Sequence, residues 1–431
     1  MWTPELIIYG FLIFLILIFL EVPIAFSLGF SSIIILLING HFPLTFIVQR
    51  MYAGLDSFTL LALPLFIFVG KSMNSSGVTD RLFNFAKCLV GNVRGSLAHV
   101  NIIASIIFAG MSGSATADAG GLGLVEMKAM KDEGFDVKFS AAVTAASSTI
   151  GPIIPPSIPL IVYGVMSNTS IGRLFMAGIM PGLLMGISLM IFVYIISLKK
   201  GFPRGKAYSL KEKMLSFANA FPALFAPVLM LGGILLGIFT PTEGAGVTAI
   251  YTLFLGFIIY RNLTIKEFIE ILKFTAKTAG TILIVISFSN IFSYFISIAQ
   301  IPQMIVNALF EITQNKYVII LLINIVLLIA GCFMESLVVI AIGVPILIPI
   351  IKTLGINEVH FGIMMILNLM IGGLTPPFGL LVFVIANIAK ISTSEVFKAT
   401  MPFLIPLIIV LLLVAFIPQI TLFIPNLLMG N

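Results

Sequence analysis

The chain is poor in the residues on which soluble chemistry depends. Charged residues make up 9% of it, against about 25% in an ordinary soluble domain, and its 431 residues include three histidines, two cysteines and one tryptophan. So little charge leaves almost nothing for a soluble domain. His41, His99 and His360 are scattered without ligand spacing, which argues against a metal or catalytic centre built on imidazole. Cys88 and Cys332 sit in hydrophobic surroundings, match neither metal nor redox spacing, and read as packing residues. HExxH, a Gly-x-Ser-x-Gly elbow and any nucleophile with a base at helical spacing are missing too, which speaks against an intramembrane enzyme. No Lys or Arg precedes the first apolar run, Leu6 to Leu20, so the charged start of a cleavable signal peptide is absent and the run reads as a membrane span.

What is abundant is apolar surface. The hydrophobic fraction is 60%, 38 residues are Phe, and the mean hydropathy is +1.19. Many runs reach the roughly 20 helical residues needed to cross the hydrocarbon layer. The fold class is therefore an all-α polytopic membrane protein. Phenylalanine in this quantity fits lipid-facing and packed surfaces and does not indicate a cofactor site. Spans are expected near 5–21, 22–39, 57–72, 138–167, 171–197, 217–239, 243–260, 275–298, 359–389 and 395–424. Between the third and fourth lie two shorter helices, 95–110 and 114–128, and a matching pair stands at 316–331 and 336–351. Each arm has about 16 residues, too short to span comfortably, so each pair is expected as a re-entrant hairpin.

Residues 109–181 align without a gap on 330–402 at a constant offset of 221. Ala109-Gly110 pairs with Ala330-Gly331, Ile150-Gly151 with Ile371-Gly372, Pro155-Pro156 with Pro376-Pro377, and Met180-Pro181 with Met401-Pro402. The chain reads as two copies of one unit, residues 1–197 and 217–431, joined by a basic linker at 198–216. Five crossings per copy, an odd number, give the copies opposite orientations, an inverted repeat. With the N-terminus outside, 19 of the 23 Lys and Arg fall on the inner side and only Arg50, Arg173, Lys316 and Lys352 outside, the expected positive-inside asymmetry. The net charge of +6 then reports topology, and nucleic acid is not an expected partner.

Chemistry is expected where helices break. Four prolines in the eight residues from Pro152 to Pro159 remove amide donors and clash with preceding carbonyls, and Gly372-Gly373-Leu374-Thr375-Pro376-Pro377 repeats the break. Unpaired carbonyls inside a bilayer are costly unless they line a cavity or hold an ion. Opposite the breaks stand two polar tips: Ser112, Gly113, Ser114, Thr116 and Asp118 in the first copy, Glu335 and Ser336 in the second. Oxygen-rich breaks facing polar tips suit a small hard cation such as sodium. The two carboxylates are also readable as helix caps. Residues 79–92 and 301–313 read as interfacial amphipathic arms, and Glu21 and Glu243 as caps or scaffold contacts.

At the Ser112–Asp118 tip, the Gly151–Ser157 break, the Met334-Glu335-Ser336 tip and the Gly372–Pro377 break, the chain resembles the large membrane subunit of tripartite ATP-independent periplasmic (TRAP) transporters, DctM/SiaM-like, over essentially its whole length. The resemblance implies a sodium-driven importer of an organic acid in the bacterial inner membrane, such as a C4-dicarboxylate, a sialic acid, another sugar acid or a keto acid. It implies two partners, a small four-helix membrane subunit and a periplasmic substrate-binding protein; with no small-subunit segment read before Met1, the small subunit is expected as a separate chain. It implies an elevator in which scaffold helices 1–56 and 217–260 hold transport elements 57–197 and 275–431. Carried over to this chain, one sodium site would use Ser112, Ser114, Gly151, Ile154 and Pro155, and the other Gly331, Met334, Gly372, Thr375 and Pro376. Ser112, Gly113, Thr116, Asp118, Ser157, Glu335 and Ser336 would serve substrate or gate. No cofactor is expected beyond sodium as coupling ion. The alternatives are a stand-alone sodium- or proton-coupled carboxylate symporter and, less well matched to two symmetric hairpins, a passive channel.

Overall fold

A run such as Ile171–Lys200, apolar on every face, forms a helix because in lipid each backbone amide must find its partner within its own segment. The computed structural model describes residues 4–40 and 42–430, and His41 lies outside the described residues. Among them the regular elements are helices with no named strand. Eight helices are long and apolar enough to cross a membrane by length and composition, and the first two expected spans are the shorter helices Pro4–Phe19 and Ile24–Ile38. The protein is a multi-pass helical membrane protein.

Both hairpins form. The first pairs Ser96–Ser112 with a second arm, and the second pairs Lys316–Phe333 with Ser336–Thr353. Both long spans break where expected, into Val137–Ser148 and Ile158–Ser167, and into Glu358–Gly372 and Leu380–Ala389. The halves interlock crosswise: Ile158–Ser167 packs against Glu358–Gly372, and Leu380–Ala389 packs against Val137–Ser148. The Tyr163 hydroxyl donates to the Glu358 carbonyl at 2.7 Å across this seam.

Around this centre lies a second set of helices. Ala62–Ser75 packs on Pro241–Phe254 and on Ile265–Ile298, which in turn packs on Ile24–Ile38. The arm Val78–Val90 lies between the first hairpin and Leu210–Leu235, and Ile301–Ile312 lies against the second hairpin.

The structure corrects the sequence reading in several places. The second arm of the first hairpin is two helices, Ala115–Gly120 and Leu122–Asp132, because Gly121 turns the chain between them. The span expected at 395–424 is Thr393–Phe416 followed by Gln419–Met429. Pro418 has no amide hydrogen to continue the first helix, and the last helix folds back on Ile171–Lys200, where Arg173 donates to Asn426 at 2.7 Å. Leu210–Leu235 and Ile265–Ile298 begin 7 and 10 residues before the expected 217 and 275, each at a capping box, Ser209 with Glu212 and Thr264 with Glu267. The helix Leu44–Ala53 had no counterpart in the sequence reading. Glu243 is a cap, its carboxylate accepting from the Thr240 amide and hydroxyl at 2.8 Å each.

Candidate functional site

The first tip is seated directly on the first break. Gly113 adopts φ +59°, and a Cβ there would stand 2.5 Å from the Pro156 carbonyl oxygen, so only glycine fits. The Gly113 carbonyl accepts the Ile158 amide at 3.3 Å. Ser114 then caps Ala115–Gly120, its hydroxyl accepting from the Ala117 amide and lying 3.1 Å from the Thr116 hydroxyl. Within the break, Ser157 donates to the Pro152 carbonyl and accepts the Leu160 amide, which starts the helix beyond.

Several oxygens in this unit remain free. Among the described residues, the carbonyls of Gly151, Ile154 and Pro155 accept no hydrogen bond, and the buried Ser112 hydroxyl, 7% exposed, has no partner. Gly151 abuts the Ser114 carbonyl. An apolar segment that gathers unsatisfied carbonyls and a hydroxyl can supply oxygen ligands to a small cation.

The second unit uses the same plan with other residues. Here the arm and the break touch backbone to backbone: a Cβ on Gly372 would lie 2.8 Å from the Gly331 Cα. The Cys332 carbonyl accepts the Gly379 amide at 3.2 Å; Gly379 is the counterpart of Ile158, but the acceptor stands two residues before the counterpart of Gly113. Thr375 donates to the Ile371 carbonyl at 2.8 Å, which leaves its oxygen lone pairs available. Met334 is extended, and Glu335 begins the next helix without a side-chain cap bond. The Pro155-Pro156 and Pro376-Pro377 peptides are both cis.

Each first arm is further tied to its broken helix by a buried asparagine, which the sequence reading did not single out. Asn101 donates to the Thr144 hydroxyl at 2.7 Å and accepts from Ser147 at 2.6 Å. Asn368, at the position equivalent to Ser147, donates to the Asn324 side chain at 2.8 Å and to its carbonyl at 2.9 Å. A lone Asn in a run of Ile and Leu was the available signal.

Both tips open into one cavity of about 490 Å³. Ser112, Ser114 and Thr116 line it from the first tip, and Gly331, Met334, Glu335 and Ser336 from the second. Gly113, Gly151, Ile154, Pro155, Ser157, Gly372, Thr375 and Pro376 stand behind this lining, in or beside the breaks. Asp118, 1% exposed, does not reach the cavity: it is buried within the hairpin, where the Ser105 hydroxyl lies alongside without forming a full hydrogen bond. Sequence reasoning missed the opposite wall, Lys71 and Asn74 on Ala62–Ser75 and Phe274 and Thr278 on Ile265–Ile298. The Lys71 ammonium stands 5.0 Å from the Phe274 ring centroid. One cation, Lys71, one carboxylate, Glu335, and several hydroxyls line a single chamber, which suits a small polar solute. Among the described residues no group of three His, Cys, Asp or Glu could hold a metal ion.

The family model for the tripartite ATP-independent periplasmic transporter DctM component matches residues 11–420. The chain is 47% identical over 414 residues to the sialic acid TRAP transporter large permease protein SiaM of Vibrio cholerae, covering 96% of this chain and 97% of that one. It is 37% identical over 400 residues to the C4-dicarboxylate TRAP transporter large permease protein DctM of Pseudomonas aeruginosa, covering 93% and 94%. It is 40% identical over 417 residues to the sialic acid TRAP transporter permease protein SiaT of Haemophilus influenzae, of which it covers 68%. Among solved structures, the YdaH transporter of Alcanivorax borkumensis superposes with a TM-score of 0.67 at 13% identity, over 86% of this chain and 87% of that one, a likeness of fold.

Proposed function

This chain belongs to the DctM component family of tripartite ATP-independent periplasmic transporters, as a large permease, and from that premise we propose that it carries an organic acid across the bacterial inner membrane, driven by sodium. The observation that carries this reading is the shared chamber: two hairpin tips meet two broken helices at one cavity of about 490 Å³. A sugar acid of the sialic acid class is the favoured substrate, since two relatives of 40% identity or more are named for sialic acid. Its carboxylate would meet Lys71 and the first turns of the helices that start at the tips.

Sodium would sit behind the tips. The first site would use the Ser112 hydroxyl with Ser114 and the free carbonyls of Gly151, Ile154 and Pro155. The second would use Thr375 with Gly331, Met334, Gly372 and Pro376. Bound ions would pin each tip to its break, and the closed tips would let the unit move with its cargo. Helices 1–56 and 217–260 would form the static scaffold, and 57–197 and 275–431 the moving transport elements. A separate small membrane subunit and a periplasmic substrate-binding protein would complete the system, with the N-terminus periplasmic.

The test is the thermal stability of the purified chain titrated with sodium at constant ionic strength against potassium or choline. Saturable stabilisation specific to sodium, weakened by Ser112→Ala, is expected. No difference between the cations up to a few hundred millimolar, roughly the range where weak sites still register, would sink the sodium sites and leave the fold intact. Proteoliposomes carrying the chain with and without the two partners separate this reading from a stand-alone symporter, which would take up substrate alone.

A further inference from the structure

A second large cavity, about 720 Å³, opens where the ends of Val137–Ser148, Ile171–Lys200 and Thr393–Phe416 meet. It is remote from the tips and shares no lining residue with the first chamber. Its rim carries Lys138, Lys199, Lys200 and Lys398, and its acids are Asp136 and Glu395.

Those acids are already engaged with one lysine. Glu395 holds the Lys138 ammonium at 3.0 Å and accepts from the Ser392 hydroxyl at 2.9 Å. Asp136 accepts the Lys138 amide at 3.2 Å. Lys200 leans over the Phe139 and Phe202 rings, 5.6 and 6.0 Å from their centroids. Lys199 and Lys398 face the crevice with no carboxylate partner among the described residues.

Below the cationic rim the walls turn apolar. Phe192 packs edge-on against Phe403 at 5.1 Å, and exposed rows lead away from the rim down both helices: Ile195, Ile191 and Ile187 on one, Met401, Ile405 and Ile409 on the other. Residues four apart share a helix face, so each row is a continuous apolar ramp about 12 Å long. A free phosphate would need only the lysines. Cations above two apolar ramps match a phosphate ester that carries acyl chains, and basic pockets between membrane helices are sites of that kind.

We propose that this crevice binds an anionic phospholipid, with Lys199, Lys200 and Lys398 on its phosphate and its chains along Phe192, Ile195 and Met401. Because Lys199 and Lys200 come from the first half of the chain and Lys398 and Phe403 from the second, the lipid braces the joint that the Lys138–Glu395 ion pair also spans.

The experiment uses the full chain, delipidated in mild detergent. Native mass spectrometry and thermal stability are followed against phosphatidylglycerol, phosphatidylcholine with the same chains, and inorganic phosphate as separate arms. Phosphatidylglycerol alone is expected to be retained and to stabilise. The double variant Lys199→Gln/Lys398→Gln should weaken retention about tenfold or more, whereas Lys211→Gln/Lys266→Gln, two exposed lysines elsewhere, should leave it unchanged. Without lipid both doubles should melt with the parent, since all four side chains are exposed. Equal retention by the two doubles overturns the proposal, as does equal binding of phosphatidylcholine or equal stabilisation by phosphate.

Discussion

At the first break Ser157 is fully buried and its hydroxyl closes the helix that follows; 221 residues on, Phe378 stands 56% exposed beside the Phe333 ring. Pro155 and Pro156 are buried, while Pro376 and Pro377 are exposed. The tips differ in the same sense. Gly113 makes a left-handed turn into a capped helix, whereas Met334 is extended and Glu335 leaves its helix uncapped. Both units have a backbone bond from tip to break and an asparagine clamp, but the first adds the Ser114 and Ser157 caps, while the second adds the Gly331–Gly372 backbone contact. The two units share a backbone plan and differ in how each tip is seated and how far each break is covered.

The sharpest way to break this comparison is at the seats themselves. Gly113→Val must place a side chain against the Pro156 carbonyl at a positive φ, and should cost about 2–4 kcal/mol of stability and abolish uptake. Met334→Val, at the equivalent position, should keep at least half of both. Equal damage from the two would mean that the tips are equally locked.

The asparagine clamps come next. Asn101→Ala takes the donor from the buried Thr144 hydroxyl and leaves Ser147 only the Thr144 carbonyl as acceptor, and should cost about 1–3 kcal/mol. Asn368→Ala should cost a similar amount, and in addition should raise the proteolytic sensitivity of the second break more than Asn101→Ala raises that of the first. Melting curves and limited proteolysis in detergent read both.

Ion dependence separates the units at a smaller scale. Ser112→Ala removes an unpartnered hydroxyl and should raise the sodium concentration for half-maximal uptake about tenfold, equivalent to about 1.4 kcal/mol. Thr375→Ala also removes a hydrogen bond to Ile371, so it should shift sodium dependence together with stability. A pure stability loss in either variant, at unchanged sodium dependence, would remove that residue from the proposed ion sites. The smallest effect is at the seal: Ser157→Ala loses a helix cap worth about 1 kcal/mol, while Phe378→Ala, at an exposed position, should stay within about 0.5 kcal/mol of the parent.

Tips and breaks were legible in the sequence because proline and glycine act on their own backbone. The prolines around Pro155 and Pro376 remove amides wherever they stand, and the small-residue turn at Gly113 limits its own neighbours. Lys71 and Asn74 were not legible as cavity residues, because their place depends on how Ala62–Ser75 docks against elements more than 150 residues away. Asp118 illustrates the opposite failure. As a carboxylate at the polar tip it was assigned to substrate or gate, but on the short helix Ala115–Gly120 it is buried away from the cavity lining. The contrast in exposure between the two breaks was equally hidden, because Ser157 and Phe378 differ by what covers them.

The linker between the halves returns to the foot of the first hairpin, where the Gly95 amide donates to the Pro203 carbonyl at 3.0 Å and the Gly205 amide to the Val93 carbonyl at 3.3 Å. Between this fastening and the capping box at Ser209 run only Lys206, Ala207 and Tyr208. Fully drawn out, those four peptide steps reach roughly 14 Å. The linker is thus a leash: while the fastening holds, the hairpin's foot can travel no farther than that from the start of Leu210–Leu235, and lengthening the leash with glycine and serine is the direct way to ask whether it limits the stroke.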